Sequence, residues 1–540
     1  MAEMNVSDPP VAAYSDATSS RAASLLERLA ACVGASNLLT GDDRMFYATD
    51  VYTHRELPMA VARPGSQDEL IAVVAAAYEA GVAVVTRGGG ASYTGGYLPA
   101  TSRSVLIDVS RLNRVLEINK NDAYVTVEPG VTWAALDAAL APFDLRTPFR
   151  GPFSGLAATV GGSISQNTLG HGSGTWGLSP ESVIALEIVT AGGELLKTGQ
   201  AGSRLGVPFF RYYGPDLTGL FTGDCGAFGV KARITLRLLR RRPYVGAASF
   251  SFDSFEDMQS AMAEAASFAL DDKAFALDTA LQQGQIGKSA DASSRFAIAR
   301  AVIRAAPTTS AGVAQVIRMG LAGSAALSKA PYAAHYLLDG FSRSEIAAKI
   351  AVLRRIATRR GHEIPNTVPT VVRAMPFAPL HNVLGPAGER WVPLHGIFPY
   401  SAVAAFHKDV NALLTAKQPA MTRLGVHVGR MFSTVGSGNF LYEPALYWKD
   451  EQTIYHRTVL DEGYRATLPK YPANPDGAAL IAELRNALID LYHRHGAGHL
   501  QVGKSYPLLR DRNPAAVSLL RGIKRELDPK GLMNPGALGL

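Results

Sequence analysis

Residues 82–99, VAVVTRGGGASYTGGYLP, run an apolar, β-type segment straight into a glycine cluster, and no helix can follow at once. Glycine permits positive φ and close backbone approach, so successive N–H groups in such a loop can converge on a diphosphate as an anion nest. A dinucleotide cofactor is the first hypothesis. A Rossmann unit would need strand, glycine turn and then a helix whose N-terminus meets the pyrophosphate. Here Gly88–Gly90 and Gly95–Gly96 lead to Pro99 and a second β-type run, Ser104–Asp108. The loop is therefore a phosphate cradle of another kind, or a glycine-rich hairpin without ligand.

Working outward, Ser66-Gln-Asp-Glu69 has capping-box spacing ahead of LIAVVAAAYEAG, so the order reads strand, helix ending at Gly81, strand, glycine loop. From 105 to 240 the runs VLIDV, AYVTVEPGV, VIALEIVT, GELLKTG and ARITLRLL are short, β-branched and punctuated by Gly, Pro or Asn, with one helix near Trp133–Leu140. That pattern is α+β. A polar lead to about residue 20 and a helix at 20–34 precede it. Ala-rich helical segments at 256–270 and 293–330 mark a second domain starting near Tyr244. Arg295, Arg300, Arg304, Arg318 and Lys329 punctuate the later segment in a way that suits a membrane surface. The scarcity of aromatics after Phe296 favours ordinary amphipathic helices covering a sheet or an oligomer contact.

With 540 residues and 47% hydrophobic content, the chain is long enough for two or more cores. The net charge of +7 is spread along the sequence rather than set on one stripe, so it implies mild steering and no nucleic-acid partner. Cys32 and Cys225 are far apart and lack C-x-x-C spacing, which argues against a disulfide framework, zinc or iron–sulfur cluster and fits a reduced cytoplasm. The N-terminus has no basic region followed by an apolar core, and no run of eighteen apolar residues occurs. Neither export nor a membrane span is expected.

Two more glycine groups follow the first: AATVGGSISQNTLG at 157–170 and GPDLTGLFTGDCGAFGV at 214–230. Three such groups in one half of a chain are hard to assign to turns. RGGGASYTGG at 87–96, AYVTVEPGVTW at 123–133, GGSISQN at 161–167, PDLTGLFTGDCGAFGV at 215–230 and LDPKGLMNPG at 527–536 together resemble one family. It is the FAD-linked oxidoreductase family of vanillyl-alcohol oxidase, p-cresol methylhydroxylase (PCMH) and the flavin subunit of glycolate oxidase.

The resemblance implies an α+β fold with a PCMH-type FAD-binding domain of two α+β subdomains and a mixed α/β cap, or substrate, domain. The implied boundaries are 1–57 for the lead and first helix, 58–243 for the FAD domain, 244–490 for the cap and 491–540 for a segment returning to the FAD domain. FAD would be held by Arg87, Gly88, Gly89, Gly90, Ala91 and Ser92, by Gly161, Gly162, Ser163 and Asn167, and by Gly226, Gly229, Val230 and Asn534.

Ala91 stands where doubly linked members carry a flavin-bound histidine, so that bond is absent. The segment Arg390-Trp-Val-Pro-Leu-His395 resembles the one bearing the cap-domain link, making His395 the candidate for an 8α-histidyl bond; the alternative is a satisfied polar residue at a strand end. Thr434, Leu441 and Arg494 occupy the positions of the metal ligands of the hydroxyacid branch, so no metal is expected. Leu500 and Gln501 replace the tyrosine and arginine that hold a phenolate, with Tyr93, Lys504 and Tyr506 as substitutes.

The implied chemistry is hydride removal from a substrate carbon to flavin N5, with Tyr93, His427 and His499 as candidate bases, each with a structural alternative. The first substrate class is an aromatic or benzylic alcohol or a para-alkylphenol. The second is a 2-hydroxyacid or polyol oxidised without metal; a non-catalytic flavin-binding assembly partner is a third reading. Partners would be the small-molecule substrate, dioxygen or an electron-acceptor protein, and a second copy in a homodimer through the cap.

Overall fold

Ser66 decides where the first long helix begins. Its hydroxyl accepts from the Glu69 N–H (3.1 Å), while the Glu69 carboxylate turns back to the Gly65 N–H (2.7 Å). One of the helix's orphan donors, the Glu69 N–H, is thereby satisfied, and the residue before the cap is tied to the first turn. The helix Gln67–Glu79 buries Leu70, Val73, Val74 and Ala77, and Gly81, at φ 65, releases the chain into the strand Ala83–Arg87. The computed structural model to which these distances belong describes residues 23–288, 292–305, 309–322 and 330–540. The sequence lead to residue 22 and Lys329 lie outside the described residues.

That helix is the crossover of a four-stranded sheet ordered Leu38–Leu39, Ala60–Ala62, Ser104–Asp108, Ala83–Arg87. Its last three strands are parallel, with Val61 opposite Leu106 and Val84 opposite Val105. They are buried almost throughout, as strands covered on both faces must be. The chain's end adds to the same edge: Val84 donates to Leu532 and accepts from Asn534. A second sheet is antiparallel, ordered Val115–Asn119, Tyr124–Val127, Val230–Arg237, Val183–Val189, Leu195–Lys197.

The third sheet has eight antiparallel strands, beginning with Tyr244–Phe252 in the sequence. Across it run His362–Ile364, Tyr244–Phe252, Tyr332–Gly340, Lys273–Asp278, Val426–Val435 and Asn439–Trp448; Arg390–Pro393 and Gly396–Pro399 both pair with the last of these. Because strand side chains alternate, one face carries Phe250, Ala274, Tyr336, Phe432 and Tyr442 into a core shared with the helices Phe255–Ser267, Arg343–Ala357, Val403–Leu424 and Pro475–Arg494. The other face carries Lys273, Phe275, Leu277, Met431 and Glu443, with Met431 paired to both Leu277 and Glu443. This second face looks toward the glycine loops.

Within the Ala-rich stretch 293–330, read as amphipathic helices, stand the helices Ala292–Ala305 and Thr309–Ala322, packed on each other, the first also against Thr367–Ala374. Among the described residues no helix is long and apolar enough to cross a membrane.

Candidate active site

The three glycine groups meet. A Cβ at Gly89 would lie 1.8 Å from the Ala157 carbonyl oxygen and one at Gly88 2.3 Å from Thr159 Oγ1, so the first two groups approach as only glycine allows. Thr159 caps the short helix Val160–Ser165, its hydroxyl accepting from Gly162, and Ser163 is fixed by the Trp133 indole N–H (2.8 Å). Gly90 has φ +64, and its carbonyl accepts the hydroxyls of both Tyr97 and Tyr455 (2.9 Å each). Among the described residues no internal partner takes the N–H groups of Gly89, Gly90, Ala91, Ser92 or Tyr93.

These five donors border a cavity of about 240 Å³. Gly88–Tyr93, Gly161–Ser163, Gly226, Gly229 and Val230 line one part of it; Phe153, Leu380, Val383, Trp391, His395, Leu500, Gln501, Lys273, Met431 and Glu443 line the rest. A row of unpaired backbone donors leading to a wall of aromatic and aliphatic groups fits a cofactor with a diphosphate and a flat ring.

Several expected site residues are brought to this wall and others are not. Arg87 lies beneath the loop instead: its guanidinium sits 4.0 Å from the Phe46 ring centroid and blocks any side chain at Gly90. Asn167, in the left-handed region at φ 50, packs against Gly223 rather than lining the cavity. Asn534 is a brace: its Nδ2 donates to the carbonyls of Gly96 (2.7 Å) and Cys225 (2.5 Å), tying the first and third glycine groups together. Arg87, Asn167 and Asn534 thus shape the cradle without facing it.

The expected bases separate in the same way. Tyr93 lines the cavity, edge-on to Trp391 and His395, and burial pushes its hydroxyl well above its ordinary range. His427 does not reach it: it shares a strand face with Met431 but lies four residues, about 13 Å, farther along, exposed and stacked on Tyr447. His499 is also misplaced as a base. Its Nδ1–H donates to the His395 carbonyl (2.8 Å), its ring stacks on Tyr506, and burial holds it down to about 4. Lys504 donates to the Leu98 carbonyl and Tyr506 supports His395 from behind, so neither stands in for the phenolate-binding groups.

His395 borders the cavity with both ring nitrogens engaged. Nε2–H donates to the Leu500 carbonyl (2.8 Å), which assigns that tautomer, and the Tyr506 hydroxyl lies 3.4 Å from Nδ1. Burial lowers it to about 3, so it is neutral. A bond from Nε2 to a flavin would first require breaking the contact with Leu500.

Two residues that the sequence reading missed share the cavity. Lys273 is 3% exposed, its ammonium 4.1 Å from the Phe153 ring centroid, and no carboxylate pairs directly with it among the described residues. Burial pushes it down to about 8, against the upward pull of Glu443 and Asp272. Glu443, half-buried on the same sheet face, is pushed up to about 7 by burial, with Lys273 opposing. The available signal was charge in otherwise apolar strands, Lys273 and Asp278 at the two ends of KAFALD and Glu443 within NFLYEPALYW. Among the described residues no cluster of three or more His, Cys, Asp or Glu is placed to hold a metal ion.

Cradle, cavity and flanking sheet define a flavoenzyme. Residues 58–199 match the FAD binding domain family and residues 344–538 the C-terminal domain of FAD linked oxidases, together more than half of the chain. The chain belongs to the family of FAD-linked oxidases and dehydrogenases with a PCMH-type FAD-binding domain.

The glycolate oxidase subunit GlcD of Escherichia coli is 33% identical over 224 residues, 41% of this chain and 43% of that relative, so the match spans less than half of it. A D-2-hydroxyglutarate dehydrogenase of Xanthomonas citri is 28% identical over 491 residues, 89% of each chain. The crystal structure of p-cresol methylhydroxylase with substrate bound superposes with a TM-score of 0.71 at 16% identity, covering 96% of this chain and 97% of that one. That likeness is one of fold.

Proposed function

We propose that this protein oxidises a 2-hydroxyacid with an apolar side chain, without a metal ion. The observation that carries the reading is Lys273: a buried ammonium lining the cavity without a direct carboxylate partner. Burying an unpaired cation is costly, and a substrate carboxylate would supply the missing charge. The names of two relatives, a glycolate oxidase subunit and a D-2-hydroxyglutarate dehydrogenase, lend support to the same class. Leu500 and Gln501, on the wall where a phenolate-binding tyrosine and arginine were sought, weigh against a phenol.

Bound FAD supplies the hydride acceptor. Lys273 binds the substrate carboxylate and so fixes which carbon faces the cofactor. Glu443 takes the hydroxyl proton as the carbon gives up its hydride, leaving a 2-oxoacid. Trp391, Leu380, Val383 and Leu500 exclude water and receive the side chain. The cradle of Gly88–Ser92 and Gly161–Ser163 would hold the cofactor through backbone donors.

The test is anaerobic mixing of the yellow holoprotein with lactate, 2-hydroxyisocaproate, mandelate, vanillyl alcohol and p-cresol. Loss of flavin colour with the hydroxyacids, fastest for those with apolar side chains, is expected. Bleaching by vanillyl alcohol or p-cresol alone would overturn the reading.

A further inference from the structure

Between the strand Leu195–Lys197 and the short helix Leu217–Leu220, the chain turns its large apolar residues outward. Leu205, Phe209, Phe210, Tyr212 and Tyr213 are 84%, 57%, 44%, 60% and 75% exposed. The backbone beneath them is fixed. Arg211 Nη1 donates to the carbonyls of Pro180 (2.9 Å) and Val183 (3.2 Å), its Nη2 pairs with Asp216 (2.8 Å), and the Gln200 N–H donates to the Phe210 carbonyl (2.9 Å). The rings are ordered on one another as well, Phe209 stacked on Phe210 (centroids 6.4 Å apart) and Tyr212 edge-on to Phe210 (6.2 Å).

The loop spends the Arg211 guanidinium on anchoring itself and offers water a cluster of aromatic rings. Exposed apolar surface of this extent in one place marks a contact surface. Its charge selects the partner. From Leu195 to Pro215 the sequence has no Asp or Glu, and of its three cations Lys197 pairs with Glu187 (3.4 Å) and Arg211 with Asp216, which leaves Arg204, exposed beside Leu205, as the loop's one cation outside an ion pair among the described residues. A two-fold contact through this loop would bring together two loops that carry Arg204 and no acid of their own to answer it, which is unfavourable. Phenylalanine and leucine with tyrosines and a flanking cation match the boundary between lipid headgroups and acyl chains.

We propose that the 204–213 loop docks this protein peripherally on an anionic lipid bilayer. Leu205, Phe209, Phe210 and Tyr213 enter the boundary layer while Arg204 meets lipid phosphates. This surface is separate from the cavity, so its fate does not depend on the substrate proposed above.

The test is co-sedimentation of the full-length holoprotein with vesicles of phosphatidylcholine containing phosphatidylglycerol, compared with phosphatidylcholine alone. The native protein should sediment with the anionic vesicles and be released by salt. A Phe209→Ser/Phe210→Ser/Tyr213→Ser variant should lose about tenfold or more in partitioning while keeping its FAD content and melting temperature. Absence of sedimentation, or equal sedimentation of native protein and variant, overturns the proposal. So does a dimer-to-monomer change of the variant in analytical ultracentrifugation without vesicles, which assigns the patch to a second copy. Single-residue variants Phe209→Ser and Tyr213→Ser, each with intermediate loss, guard against a general effect of the triple change.

Discussion

Glu443 sheds its proton only above about pH 7, because burial penalises the carboxylate, and Lys273 keeps its proton only below about 8. A base that must be ionised and an anchor that must be charged give a narrow bell in kcat/KM, rising through about 7 and falling through about 8. Glu443→Gln should remove the acid limb and lower kcat by roughly 10²- to 10⁴-fold, read in anaerobic stopped-flow flavin reduction. The same substitution should stabilise. Between the ordinary carboxyl value of 4.5 and about 7 the folded state binds the extra proton, so native stability falls as pH rises across that window. Above it, Glu443→Gln should melt higher than the native chain, and below 4.5 the two should match. These residues were not legible beforehand. Lys273 and Glu443 belong to no motif, and only the pairing of three strands around Met431 places them on one face. His427 shows the converse: named as a candidate base, it falls on the same strand face as Met431 but too far along the strand to reach the cavity.

Among the elements, the glycine loops carry the cofactor site by shape. Gly89→Ala would drive a methyl into the Ala157 carbonyl, and the expected outcome is protein that purifies without yellow colour. Gly438→Ala, where a Cβ meets nothing within 4 Å, should retain FAD and serve as the control. Asn534→Ala frees both Gly96 and Cys225 and should weaken FAD retention during dialysis without abolishing folding. The loops and the Ser66 cap were readable because each depends on local backbone chemistry. Asn534 was placed near the cofactor by its motif, yet its action is to hold two loops that are distant in sequence.

Across the whole molecule, a buried ionic junction fastens the FAD-binding half to the eight-stranded sheet. Arg146 pairs with Asp272 (2.9 Å) and Asp339 (3.0 Å), Arg150 with Asp272 (2.8 Å), and Arg242 with Asp339 (3.2 Å). Burial alone would raise the Asp272 carboxyl, but Arg146 and Arg150 hold it well below the usual range. Its contribution is therefore complete above the ordinary value of 3.8 and drains as pH falls below that. Asp272→Ala leaves two buried cations short of a partner and should cost about 3–5 kcal/mol in chemical denaturation. Asp272 also precedes Lys273, so the same variant should raise KM for the hydroxyacid, as the strand carrying the anchor shifts against the cradle. The sequence separated two halves by composition; the ionic seam between them depends on side chains that no local pattern marks.

The account rests on Lys273 as the anchor of a carboxylate, and the direct measurement is flavin reduction by a hydroxyacid and by its uncharged analogue. Native protein and Lys273→Met, both yellow, would be titrated anaerobically with mandelate and with benzyl alcohol. The account predicts rapid bleaching of the native protein by mandelate, a rise of at least about tenfold in the half-saturating mandelate concentration for Lys273→Met, and slow, unchanged reaction of both with benzyl alcohol. Equal half-saturation by mandelate in the two proteins, or faster bleaching by benzyl alcohol than by mandelate, would contradict it.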